Sequence, residues 1–114
     1  MAQFVFVEWL ALWLAETQFF RFEWDQGNTL KSQTKHGVSC QEVEELFALG
    51  QAVPIGVQVS PNVGEERLAV VGPTADGRLL TSVFTIREGF VRPISTRPAN
   101  RKEKKLYEQV RQIA

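Results

Sequence analysis

The 114-residue sequence holds one cysteine, Cys40, and one histidine, His36. A lone cysteine excludes an internal disulfide and a cysteine-based metal cluster, and it fits a reducing, cytoplasmic compartment. A lone histidine excludes a two-histidine ribonuclease mechanism within one chain. His36 and Cys40 are four positions apart, but Gly37 and Ser39 separate them onto different elements, so no metal site is expected. No cofactor signature is present either. Long apolar runs are also missing. A membrane span needs about 20 apolar residues, and Glu8 and Glu16 interrupt the apolar stretch near the start. No positive charge precedes that stretch, so a secretory signal is not expected. Repeats, linkers and low-complexity tracts are absent, and the length is that of one domain. Such a domain buries about two-thirds of its unfolded surface without metals or disulfides.

Positive charge is scarce in the first two-thirds of the chain. Four basic residues (Arg21, Lys31, Lys35, Arg67) precede Arg78, against ten acidic ones, for a balance of −6. From Arg78 onward nine basic residues face only Glu88, Glu103 and Glu108, for +6, so the net charge of +0 conceals a division. A cationic face for a polyanion or an acidic partner would produce this pattern. Two halves that interleave in space and cancel would produce it as well.

What the chain has in excess is apolar residues near its start: Phe4, Val5, Phe6, Val7, Trp9, Leu10, Leu12, Trp13 and Leu14. Read as a helix, the only polar or small stripe is Glu8, Ala11, Ala15 and Gln18, which is more burial than a small monomer usually arranges. Phe6, Trp9, Leu10, Trp13 and Leu14 are therefore expected at a subunit interface, most simply a homodimer. The other reading is a strand over 4–7 followed by a core helix on the chain's own sheet. Residues 1–19 form this apolar segment, ahead of a domain over 20–114.

Residues 20–24 alternate aromatic and charged side chains, the period of a half-buried strand. Asp25 suits the N-cap of a short polar helix that ends at Gly37. Ser39 opens a second helix with Glu42 as its capping-box partner, and Gly50 stops it. Strands follow over 55–59, 67–71, 79–86 and 90–96, joined through Ala75-Asp76-Gly77 and Glu88-Gly89. Pro93 cannot donate to a ladder, so it should lie at an edge or a bulge. Asn100 caps a final helix with Glu103, and Leu106, Tyr107, Val110 and Ile113 share its apolar face. The expected class is α+β, a small antiparallel meander with packed helices.

The basic residues of the second half supply the candidate site. Strand alternation puts Arg92, Ile94 and Thr96 on one face, with Ser95 and Arg97 on the other. Arg101, Lys102, Lys104 and Lys105 then begin the last helix. A guanidinium, a hydroxyl and a helix start close together favour phosphate. Alternatively, Arg97 pairs with a carboxylate such as Glu66 and the lysines form a solvated helix face. His36, beside a helix-ending glycine, and Cys40, in a first helical turn, each have a structural reading and a catalytic one.

Several ordered segments resemble the BrnT family of type II toxin–antitoxin toxins. They are Trp24-Asp25, Lys35-His36-Gly37, Glu66-Arg67, Arg92, Ser95, Arg97, Ala99, Glu103 and Tyr107, and the resemblance spans 22–109. It implies a fold similar to RelE-type α+β toxins, RNA cleavage without metal, a DNA-binding BrnA-like antitoxin as partner, and DNA contact only through that antitoxin. In that reading Arg67, Arg92 and Arg97 neutralise charge at the scissile phosphate. Lys35, His36 or Tyr107 move protons, and Ser95 with Arg101, Lys102, Lys104 and Lys105 bind RNA. The chain departs from the family pattern at Asn28, where lysine is usual, at Ser32, where asparagine is usual, and at Pro93, which replaces an aliphatic residue. The absent lysine removes a cation that could bind phosphate, so the alternative reading is a diverged protein- or RNA-binding module.

Overall fold

Five strands pair in chain order, each antiparallel to the next: β1 (Gln3–Val5), β2 (Val53–Ser60), β3 (Leu68–Pro73), β4 (Leu79–Arg87) and β5 (Phe90–Pro98). Four helices pack on this meander: α1 (Glu8–Glu16), α2 (Gln26–His36), α3 (Cys40–Ala48) and α4 (Arg101–Ile113). The computed structural model describes the backbone of residues 2–113, and their side chains except those of 30–34 and 113. The departure at Ser32 and the expected burial of Ile113 thus lie outside the described side chains. The α+β class expected from the sequence is the one observed.

Both sheet faces are covered, unequally. On one face α1 and α3 enclose Leu10, Val43, Leu46, Phe47, Leu68, Val70, Leu80, Phe84 and Val91. Phe47 meets Phe84 edge-on with ring centroids 5.1 Å apart, and removing either ring would cost about 3–5 kcal/mol. On the other face α4 lays Leu106 and Tyr107 over Val53, Val71 and Ala99. This helix covers only the end of the sheet near Leu79 and Ala99. The rest of that face is left for the site.

Local signals set the boundaries. Ser39 and Glu42 bond each other's backbone N–H groups in a reciprocal cap, and Gly50 adopts φ +72° at the end of α3. Asn100 and Glu103 form the same reciprocal cap on α4. Glu88 and Gly89 both have positive φ, +51° and +82°, as a two-residue hairpin turn of the right twist requires.

The start of the chain follows the strand-and-helix reading. The expected interface set divides accordingly, and one member is corrected. Leu10 has no exposed surface and belongs to the chain's own core, because α1 turns it onto the sheet, so it cannot face a partner. Trp13 and Leu14 pack against the same core, and Trp13 stacks on Phe84 at 5.8 Å. Phe6 and Trp9 stay 60% and 41% exposed. Among the described residues no helix is long and apolar enough to cross a membrane.

Two further expectations differ. Residues 20–24 run extended but form only a single parallel bridge, Phe22 to Val91, on the outer edge of β5. Also, Val83 pairs with Ser95 while Phe84 pairs with Pro93, so Ile94 is an extra residue in β5. A bulge of this kind moves every later side chain to the opposite face. Thr85 pairs with Arg92, Val83 with Ser95 and Thr81 with Arg97. Paired residues share a face, so Arg92, Ser95 and Arg97 all project from the half-covered side, and the face assignment from simple alternation is wrong for Arg92. Pro93 accordingly sits on an edge strand and beside the bulge.

Candidate functional site

The open part of the sheet forms a groove of about 520 Å³ against the start of α2, lined by Asp25, Asn28, Glu65, Arg67, Arg87 and Arg92 among others. Each arginine reaches it for a local reason. Arg92 stands opposite Thr85 across the hairpin, and Arg87 is two residues further along β4, on the same side. Arg67 immediately precedes β3. Asp25 caps α2: its carboxylate accepts from the Asn28 N–H at 2.9 Å, while Asn28 Oδ1 accepts from the Asp25 N–H.

The charges alternate in an unbroken chain. Asp25 and Glu23 both accept from Arg92, the latter at 3.0 Å. Glu23 also lies 3.8 Å from Arg87, Glu65 lies 3.5 Å from Arg87, and Glu65 lies 3.5 Å from Arg67. Such accessible pairs add about 0–1 kcal/mol each to stability, so their main effect is to hold three guanidinium groups side by side. Arg67 is held least. Its Nε is buried with no hydrogen-bond partner among the described residues, and Glu65 meets it at an ion-pair separation without hydrogen-bond geometry. Among the described residues the Arg67 side chain makes no hydrogen bond and that of Arg87 makes one, at 3.5 Å, so both guanidinium groups keep donors for an incoming anion.

Titration behaviour fits binding better than proton transfer for two of these groups. The Asn28 N–H, then Arg92, hold the Asp25 carboxyl below its ordinary range. A hydrogen bond to Asp25, opposed by burial, raises Arg92 above an already high value. Arg92 therefore stays cationic, and Asp25 is a weak base.

The other expected residues lie elsewhere. With the bulge, Arg97 is four ladder positions from Arg92 (Thr81 against Thr85), about 13 Å at 3.3 Å per position. Its fork is occupied by both carboxylate oxygens of Glu103, at 2.7 and 2.8 Å. Arg97 is paired, as the structural reading held, but with Glu103 rather than Glu66. Lys35 and His36 close α2, about 15 Å from its start by helical rise. There the His36 and Gly37 carbonyls accept from Arg78. The Tyr107 hydroxyl is 3.2 Å from Gln51 on the far side of α4. The six residues expected to share one catalytic centre are thus not brought together; Arg67 and Arg92 are.

Ser95 lies between Arg92 and Arg97 on the same face. Arg101, Lys102, Lys104 and Lys105 are exposed on α4, beyond Arg97. Sequence reasoning missed Arg87, Glu23 and Glu65. Arg87 could have been found by counting back two residues from Arg92's partner across the Glu88-Gly89 turn. The carboxylates arrive from separate elements and left no such signal. Among the described residues no group of histidine, cysteine and carboxylate side chains is arranged to hold a metal ion.

No curated protein matches the chain. Residues 24–103 match the family described as the ribonuclease toxin, BrnT, of type II toxin–antitoxin systems. The matched stretch takes in α2, α3, β2 to β5 and the residues that line the groove, while Glu23, which pairs with Arg92 and Arg87, precedes it. The chain belongs to this BrnT family of ribonuclease toxins.

Proposed function

We propose that this chain is the toxin of a type II pair and cleaves RNA at the arginine groove without a metal ion. The observation that carries the reading is the convergence of Arg67, Arg87 and Arg92 on one open sheet face, with Arg67 lacking a hydrogen-bond partner there. In the reaction the ribose 2′-oxygen attacks the adjacent phosphorus. A P–O bond forms there as the bond to the 5′-oxygen breaks, leaving a 2′,3′-cyclic phosphate and a 5′-hydroxyl. The guanidinium groups neutralise charge on the phosphoryl oxygens where it develops, the step at which fixed charges contribute most. Glu65, beside Arg67, accepts the 2′ proton, and water protonates the departing 5′-oxygen. Arg97 acts through Glu103 as a positioning residue for α4. Lys35, His36 and Tyr107 would take part only by way of RNA that extends well beyond the groove.

The RNA strand runs from the groove past Ser95 toward Arg101, Lys102, Lys104 and Lys105, so the phosphates follow one face. The partner is a BrnA-like antitoxin that covers this face, and DNA is contacted through that antitoxin. The arrangement is RelE-like, the protein acts in the cytoplasm, and it assembles as a homo-oligomer. Inducible expression with and without the neighbouring gene tests the reading. Growth arrest rescued by the neighbour is expected. Absence of arrest at any expression level would favour the diverged binding module, for which the carboxylate partners of Arg87 and Arg92 are the structural argument.

A further inference from the structure

The two edges of the sheet are protected to very different degrees. β5 carries Arg92, Pro93, a bulge at Ile94 and Arg97, and it is flanked by α2 and the 20–24 segment. Charges, proline, bulges and covering elements are the devices by which edge strands avoid pairing with another chain. β1, at the other end, has the uncharged sequence Gln3-Phe4-Val5, and no described strand pairs with its outer side. Its protections are its shortness and the irregularity in its pairing with β2.

Exposed apolar side chains surround that edge. Val5, Phe6, Trp9 and Leu12 run from the strand end onto the outer side of α1, and Val59 lies in the irregularity where β2 meets β1; the five are 41–60% exposed. Trp9 and Leu12, three apart, are neighbours on one helix face. Aromatic residues present about 150–250 Å² each, so this strip leaves on the order of 450 Å² of apolar surface in water. If about 60% of an interface is apolar, such a strip is the core of one burying roughly 750 Å² per partner, close to the ~800 Å² of a standard complex. The residues involved, 5–12 and 59, are largely outside the stretch that matches the family, 24–103. A surface of this kind is therefore a property of this chain beyond the family domain.

The geometry points to a two-fold homodimer in which β1 pairs antiparallel with β1 of a second copy and the α1 strips close over each other. A second copy fits because the strip is mainly apolar, with Glu8 and Glu16 as the exposed charges of α1 beside it, so an isologous contact covers both strips at once. Pairing through β1 would join two five-stranded sheets into one. The inference rests on the homo-oligomer part of the proposal above and is independent of its ribonuclease part.

The test combines mass and cross-linking on the full chain. Sedimentation should show a dimer for the wild type and a folded monomer, by circular dichroism, for Phe6→Asp and Trp9→Glu. In a Cys40→Ser background, single cysteines at Gln3, Phe4 and Val5 are oxidised in turn. One of the three should give a disulfide-linked dimer, since opposed residues in an antiparallel pair are within disulfide reach. A dimer that survives Trp9→Glu and resists all three cross-links would place the contact elsewhere and overturn this surface while leaving oligomerisation intact. A monomer at all concentrations would remove both. A wild-type monomer that instead binds the antitoxin through Trp9 would assign the strip to that partner and also overturn the inference.

Discussion

The side-chain amide of Asn28 donates to the carbonyl of Pro93 at 3.0 Å, and to the carbonyl of Glu23 at the same distance. Together these bonds finish a ladder that Pro93 interrupts. Val91 donates to the Arg21 carbonyl, and Glu23 donates to the Val91 carbonyl. The next bond of a parallel ladder would run from the N–H of residue 93 to Glu23, and proline has no N–H. Asn28 supplies the missing donor from its side chain. Asn28 thus compensates for Pro93, and together they seat the start of α2 beside Arg92.

Asn28→Lys should therefore cost about 1–2 kcal/mol of stability through the lost cap and donors. In a Pro93→Ile background, where the backbone donor is restored, the cost should fall, giving a coupling of about 1 kcal/mol in a double-mutant cycle by denaturant unfolding. Equal costs in both backgrounds would show that the two positions are independent. The added lysine should also tighten RNA binding at the groove.

Arg97 and Glu103 should behave as structural residues. Arg97→Ala or Glu103→Gln is expected to lower stability at neutral pH by about 1–3 kcal/mol. Burial pushes the Glu103 carboxyl up, but the Arg97 fork, the Asn100 N–H and the Thr81 hydroxyl outweigh it and hold the group below its ordinary value. A depressed carboxyl stabilises the fold above its unfolded value, and that contribution disappears as pH falls through the folded one. The gap between wild type and Glu103→Gln should thus be full at pH 7 and shrink on the acid side of the ordinary glutamate range. A gap unchanged down to pH 3 would contradict the assignment.

Local spacing made much of this legible in the sequence. The Ser39–Glu42 and Asn100–Glu103 caps, the Gly50 stop and the Glu88-Gly89 turn each depend on residues within four positions. Arg92 and Ser95 were placed on opposite faces because the extra residue at Ile94 is visible only once β4 pairs with β5. The strand expected over 20–24 shrank to one bridge because its partner carries Pro93. The chain of Glu23, Arg87, Glu65 and Arg67 comes from elements far apart in sequence, so no window of residues announces it.

Gly56 tests how the leading segment is anchored. A Cβ at this position would stand 2.1 Å from the Val5 carbonyl oxygen, and φ is +148°. Gly56→Ala should push β1 off β2, loosen the enclosure of Leu10 and lower stability by at least about 2 kcal/mol. A fully stable Gly56→Ala protein, measured by thermal unfolding, would mean that β1 does not dock there.

The most direct measurement of the central proposal is RNA cleavage by the purified chain in excess EDTA, compared with the Arg67→Ala/Arg92→Ala variant. Wild type should cleave and leave a 2′,3′-cyclic phosphate, and the folded variant should be slower by at least ~100-fold. Equal rates for the two proteins, or cleavage abolished by EDTA, would contradict it.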